Sequence, residues 1–261
     1  MHKSLHSILK RLRRTAVRCA VLLAIANVCA QAGLGPGTCE QALAIETPKV
    51  RGTATAPADC SIIYAGFVGA MEPSDHKTSG IVQIRDTLRG PTYPDVCANS
   101  FLPYNPTAGL EWILSHFPSH AGPLTADELR RGPRIILAGH STGGWAMLSV
   151  ARDLREKDIP VELTIQVDSV GIDDVTVPSN VKEGAIFHAH DALMFMTTKR
   201  LKVEDSSKTK IVANILVKGA GHLSITRDPR IRALVVKTIE QLRAESSAGE
   251  TPAAAVPYGN P

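Results

Sequence analysis

Ser141 sits in the run Gly139-His140-Ser141-Thr142-Gly143, with Gly144 behind it. A serine hydroxyl is a weak nucleophile at neutral pH. To attack a carbonyl it needs a base to take its proton, and the base needs a group to orient it. The chain offers both kinds of partner downstream. His222 follows Lys218-Gly219-Ala220-Gly221, a flexible turn able to carry a ring over the end of a strand, and His188 and His190 are the competing bases. Asp168 and Asp191 each stand after an apolar run and are the candidate orienting acids. Such a set performs acyl transfer: attack on an ester-like carbonyl, a tetrahedral intermediate, and release of the acyl group by water. His188-Ala189-His190-Asp191 also has a hint of metal binding, because alternate residues of a strand share a face. No further ligands accompany it and the chain has no C-x-x-C spacing, so neither a metal nor a cofactor is expected.

The elements that must position Ser141 are legible on either side of it. Ile135-Ile136-Leu137-Ala138 has the length and composition of a buried strand. After the glycines, Trp145, Leu148, Val150, Ala151 and Leu154 are apolar, with Arg152, Asp153, Arg155 and Glu156 among them, which is a helical pattern. Strand, tight turn and helix place the serine on a strained turn with its Oγ pointing away from the sheet. Gly139 and Gly143 omit the side chains that would clash where strand and helix pass close together, and Gly144 extends the gap. The N–H of Thr142, at the helix start, can face a developing oxyanion.

Gly-His-Ser-Thr-Gly-Gly after an apolar strand resembles the α/β-hydrolase superfamily, in a form similar to its lipase-like and thioesterase-like members. The resemblance spans roughly Cys60 to Leu242 and is specific at Ser141. It implies a three-layer α/β fold with a mainly parallel central sheet flanked by helices. It also implies catalytic partners in the chain order serine, acid, histidine, hence Ser141, Asp168 and His222. Asp191 is the alternative acid, since it follows the strand after which the superfamily more commonly places one. Lipase-like and thioesterase-like members often use the earlier strand, and Val167-Asp168-Ser169-Val170 resembles their pattern. The second oxyanion donor is expected in the turn after an early strand, here Gly66-Phe67-Val68-Gly69, with the Phe67 N–H favoured and Val68 as its alternative. The implied activity is hydrolysis of an ester or thioester through an acyl-enzyme on Ser141, with a small-molecule or lipid acyl substrate and transient contact with a lipid surface. His140 is read as a packing or hydrogen-bonding neighbour of the turn. Phe67, Val68, Trp145 and Met147 read equally well as the wall of an acyl pocket and as core. Two other readings compete. One is an idle scaffold acting as an envelope binding protein, against which the intact Ser–Asp–His order argues. The other is a peripheral membrane protein held by an uncleaved N-terminal segment.

The remaining pattern supports alternating strands and helices. Ser61–Ala65 reads as a strand, Gly80–Leu88 as a helix with Ile81, Ile84 and Leu88 on one face, and Thr107–Phe117 as a helix stopped by Pro118. Four prolines make residues 89–106 irregular, with at most a short strand around Val96–Phe101. Thr125-Ala126-Asp127-Glu128 fits a capping box. Val161–Val167, a strand opening at Ala185, Lys210–Val217 and a closing helix over 228–243 follow. The alternation predicts βαβ units, and the short excursions between later strands argue against a large separate lid domain while leaving room for a small flap from residues 70–106 or 192–208.

The ends have a different character. Residues 1–32 carry Lys3, Lys10, Arg11, Arg13, Arg14 and Arg18 and no acid, then an apolar stretch Cys19–Ala30 too short to span a bilayer comfortably. With Ala30-Gln31-Ala32 as a cleavage site this reads as a secretory signal peptide, placing the protein outside the cell or in the periplasm. Without these six charges the formal net charge of +4 becomes −2, which gives no general electrostatic reason to bind nucleic acid. Residues 33–59 read as an extended lead-in, 60–245 as one hydrolase domain and 246–261 as a disordered tail. The exported part keeps Cys39, Cys60 and Cys97, enough for one disulfide whose pairing the sequence leaves open.

Overall fold

The structure, a computed structural model, describes residues 60–70, 72–117, 124–170, 175–190 and 197–249. The proposed signal peptide, the lead-in with Cys39, the alternative acid Asp191 and residues 250–261 lie outside these. Six strands run through the described chain: β1 Ile62–Phe67, β2 Val96–Phe101, β3 Arg134–His140, β4 Val161–Val167, β5 Val181–Ala189 and β6 Lys210–Val217. Between and after them stand α1 Gly80–Leu88, α2 Pro106–Leu114, α3 Ala126–Arg131, α4 Thr142–Arg155 and α5 Pro229–Gly249, with a short 3₁₀ turn at Ile225–Arg227.

The strands form one sheet in the order β2-β1-β3-β4-β5-β6, and every neighbouring pair is parallel. A parallel sheet is stable when both faces are covered, which is why its inner strands are continuously apolar. β1 and β4 are buried at every residue, and β3 at all but its first, whereas the edge strand β2 alternates and the other edge, β6, is largely exposed. On one face Ile62, Tyr64, Ile136 and Leu163 pack against Ile81, Ile84 and Leu88 of α1 and Ile231, Val235 and Ile239 of α5. On the other, Ile63, Ala65, Ile135 and Leu137 pack against Ile113 of α2 and Met147, Leu148, Ala151 and Leu154 of α4. The result is the expected three-layer α/β arrangement.

The chain leaves β1 toward β2 over one face and returns to β3 over the other. The strand order therefore reverses between β1 and β3, and a crevice opens beyond their carboxyl ends, the usual place for a ligand in an open α/β sheet. Gly69 and Ser141 lie at this point.

Several local expectations meet their elements. The capping box at Thr125 is complete, with Thr125 Oγ1 accepting from the Glu128 N–H and the Glu128 carboxylate accepting from the Thr125 N–H. Asn105 caps α2 by accepting from the Ala108 N–H, and that helix ends at Leu114, three residues short of the expected Phe117, which closes through turn bonds instead. β5 begins at Val181, four residues before the expected start, because Val181 and the polar Glu183 already pair with Val161 and Leu163 of β4. The closing helix runs to Gly249, so Ser246–Gly249 belong to α5 and not to the tail. Cys60 and Cys97 are joined as a disulfide across the start of β1 and β2.

Candidate active site

In a parallel sheet all strands end at one edge, so residues far apart in sequence can meet there. Ser141 follows β3, Asp168 follows β4, and His222 lies five residues beyond β6. Ser141 has φ 53° and ψ −124°, a backbone conformation that an L-residue rarely adopts. It is held there by the sheet: its N–H donates to the Val167 carbonyl at 3.0 Å, and its own carbonyl accepts from the Val170 N–H at 3.1 Å. The glycines around it are required by space. A Cβ on Gly139 would lie 2.3 Å from the Gly143 carbonyl oxygen, and one on Gly143 2.3 Å from that of Phe67. Strand, helix and the turn after β1 thus converge on the serine.

Asp168 also has a positive φ, 43°, at the end of β4, where its N–H donates to the Phe187 carbonyl at 2.7 Å. Such strain persists where the surroundings over-determine it, and it clusters at functional sites. The carboxylate is 1% exposed. Its Oδ1 accepts from the Ala189 N–H at 3.0 Å, and its Oδ2 lies 2.7 Å from His222 Nδ1. His222 Nε2 lies 3.0 Å from Ser141 Oγ. A carboxylate only accepts, so Nδ1 carries the proton and Nε2 presents its lone pair to the serine hydroxyl, which donates to it. The chain therefore brings Ser141, Asp168 and His222 into one hydrogen-bonded line in which each group has the polarity needed to pass a proton from Ser141 to His222.

The other candidates sit elsewhere. His188 is half-buried on β5; burial keeps its ring below the usual imidazole range, with Lys199 and His190 adding to this and Asp168 opposing it. His190 is exposed at the strand end. The expected second oxyanion donor needs correction. Phe67 pairs with Phe101 on one side and Gly139 on the other, and the Val68 N–H donates to the Phe101 carbonyl at 3.1 Å. Successive N–H groups of a strand face opposite neighbours, so the Phe67 N–H turns inward to β3. Both groups serve the sheet. The turn that faces the nucleophile is Gly69–Ala70: a Cβ on Gly69 would stand 3.5 Å from Ser141 Cβ, and the Ala70 carbonyl accepts from Tyr104 Oη. Thr142 keeps its expected place as the first residue of α4, where a helix N–H has no intrahelical acceptor. Phe67, Val68 and Met147 are wholly buried core, and Trp145 packs half-buried against it. Cys60, Cys97 and His116 bring their ligand atoms within 4.8 Å of one another, but the two sulfurs are already bonded to each other.

Sequence reasoning missed Glu72 beneath this site. Burial would raise its carboxyl, but the contact and charge of His140, then hydrogen bonds from Ser79 and Gly69, outweigh burial and hold it at about 2. Glu72 lies three residues after Gly69 with no periodic or motif signal, so only the folded turn reveals it.

No protein-family model matches the sequence, and no curated protein matches it. Solved structures do resemble its fold. Est1E from Butyrivibrio proteoclasticus is 15% identical, with 73% of this chain and 91% of that chain covered and a TM-score of 0.42. A thermophilic carboxylesterase, EstE1, cloned from a metagenomic library is 14% identical, with 72% and 81% covered and a TM-score of 0.41. The RedJ thioesterase from the prodiginine biosynthetic pathway in Streptomyces coelicolor is 14% identical, with 69% and 90% covered and a TM-score of 0.39.

Proposed function

We propose that this chain is an exported α/β-hydrolase, a serine hydrolase that cleaves an ester or thioester through an acyl-enzyme. The observation that carries the reading is the line Asp168 Oδ2–His222 Nδ1 at 2.7 Å and His222 Nε2–Ser141 Oγ at 3.0 Å, on a serine held at φ 53°. Ser141 Oγ attacks the carbonyl carbon as His222 Nε2 takes its proton, and Asp168 stabilises the imidazolium. The Thr142 N–H at the start of α4 and the Gly69–Ala70 turn meet the developing oxyanion. His222 then gives its proton to the departing alkoxide or thiolate, and water, activated by the same ring, releases the acid. No step calls for a cofactor. Leu223, next to His222 and 69% exposed, offers an apolar contact to an acyl chain or a lipid surface at the rim of the site. An idle scaffold would have no use for two strained residues and a complete proton path.

The test is hydrolysis of p-nitrophenyl esters of graded acyl length by residues 33–261, beside Ser141→Ala. The expected outcome is turnover by wild type and a fall of about 10⁴-fold or more in the variant. Retained activity in Ser141→Ala would overturn the mechanism, and a folded wild type inert to every ester would favour the idle scaffold. Export is checked by sequencing the mature N-terminus, expected at Gly33.

A further inference from the structure

Two polar side chains, an imidazole and a carboxylate, are buried beside the nucleophile, and the proton path above uses neither. His140, the residue before Ser141, is 1% exposed, and Glu72 is also buried. The His140 ring lies against that of His222, with centroids 4.8 Å apart. Its Nε2 is 2.9 Å from the main-chain carbonyl oxygen of His222. Its Nδ1 is 3.0 Å from Glu72 Oε1, an ion-pair contact that falls short of a well-aligned hydrogen bond. A carbonyl and a carboxylate only accept, so both ring nitrogens face acceptors and the ring is held between Glu72 and the His222 peptide. Glu72 Oε2 in turn accepts from Ser79 Oγ at 2.9 Å and lies 3.5 Å from the Gly69 N–H.

Stability is a poor explanation for this pair, because desolvating a carboxylate and an imidazole offsets most of what their contact contributes and apolar residues could fill the space. Its connections are more informative. The loop bearing His222 passes through Gly219, at φ 76° and with open space around it, then Ala220 and Gly221. Downstream it is fastened where the Gly80 N–H donates to Thr226 Oγ1. The peptide of His222 itself is gripped by His140.

We propose that Glu72 and His140 are positioning residues for the catalytic histidine. Glu72 fixes the His140 ring, and His140 fixes the His222 peptide so that Nε2 meets Ser141 Oγ. Through Gly69 and Ser79 the same carboxylate fixes the turn that faces the nucleophile, so base and oxyanion turn are set by one group. The kinetic consequence rests on the serine-hydrolase reading, whereas the geometric one does not.

The experiment compares His140→Leu, His140→Gln and Glu72→Gln in the otherwise intact chain, with folding checked by circular dichroism. A glutamine amide reaches near the place of Nε2 and keeps the donor to the His222 carbonyl, which leucine lacks. Two readouts are taken: turnover and Ser141 phosphonylation by a p-nitrophenyl phosphonate, and the low-field proton resonance of His222 Nδ1–H shared with Asp168. His140→Leu is expected to lower kcat and the phosphonylation rate about 100-fold, with KM within about threefold, and to abolish the resonance. His140→Gln is expected to recover most of both, and Glu72→Gln to lose about tenfold. Wild-type kcat and an unchanged resonance in His140→Leu would overturn the proposal. Should that variant fail to fold, wild-type values in the nearly isosteric Glu72→Gln would overturn it equally. If wild type itself resists the phosphonate, the hydrolase reading fails, and the resonance alone decides whether the pair positions His222.

Discussion

Two buried carboxylates stand at opposite edges of the same sheet, and their partners differ in kind. Glu162, near the start of β4, is gripped by Arg134 Nε from the start of β3 at 2.5 Å and by Lys182 Nζ from β5 at 2.9 Å. Burial would raise its carboxyl, but these two cations outweigh burial and hold it below the usual range. One acid thus staples three adjacent strands, and all its partners end in side-chain charges that reach solvent. Glu72, at the other edge, has an imidazole for a partner, and that imidazole passes its second bond to the main chain of His222. Backbone strain follows the same division. Ser141 and Asp168 hold positive φ at the carboxyl edge. Among the described residues the third with a side chain at positive φ, Asp158, merely ends α4 in the left-handed turn common after helices. One edge of the sheet is built for holding strands together, the other for holding atoms in line.

This contrast can be broken first at Asp168. In Asp168→Asn the amide oxygen can still accept from the Ala189 N–H, so the fold should survive. The amide nitrogen would then face His222 Nδ1, favouring the tautomer whose proton sits on Nε2 and points at Ser141. A fall in kcat of about 10⁴-fold with little change in Tm is expected, equivalent to about 5 kcal/mol of barrier. Near-normal turnover would return the acid's role to Asp191. The far edge should answer in the opposite currency. Cys97→Ser opens a cross-link between residues 37 apart, which should lower unfolding free energy by about 3 kcal/mol in denaturant titrations. The kcat of the folded variant should be unchanged, because the disulfide lies at the amino ends of β1 and β2. A loss of kcat without a loss of stability would mean that the two edges are coupled.

How much of this was legible in the sequence depended on whether the cause was local. The strand before Ser141, the glycines around it and the helix after it are read from one continuous stretch, because the close approach at Gly139 is to Gly143 and Gly144, near neighbours in sequence, whereas what Gly143 makes room for, the Phe67 carbonyl, is not visible there. The capping box at Thr125 and the edge strand Val96–Phe101 were visible for the same reason. His222 was reachable because a glycine-rich turn after a last strand has few other purposes. Phe67 was misplaced because strand and turn were separated two residues too early, at Ala65 in place of Phe67. The N–H directions depend on pairing with Phe101 and Gly139, which only the register supplies. Glu72 was invisible because its partners, His140 and Ser79, come from two other elements. The Cys60–Cys97 pairing was open for a like reason: it follows from β1 lying beside β2.

The smallest expected effect separates the two carboxylates most cleanly. Glu162→Gln removes the acid that Arg134 and Lys182 share, but both cations are partly solvated and can turn to water, and Arg134 keeps its contact with Glu245. A loss of only about 1–2 kcal/mol of stability is therefore expected, well below that of a fully enclosed pair. Its pH dependence fixes the cause. A carboxyl whose folded pKa lies below its unfolded value, near 4.5, stabilises the fold above that value, and the contribution fades as pH falls through the folded pKa. The gap between wild type and Glu162→Gln should be full at pH 7 and close progressively below about pH 4.5, as read from urea midpoints. Throughout this range kcat per folded molecule should match wild type, whereas Glu72→Gln should depress it. If Glu162→Gln slowed turnover as much as Glu72→Gln, the distinction between a carboxylate that staples strands and one that aims a base would fail.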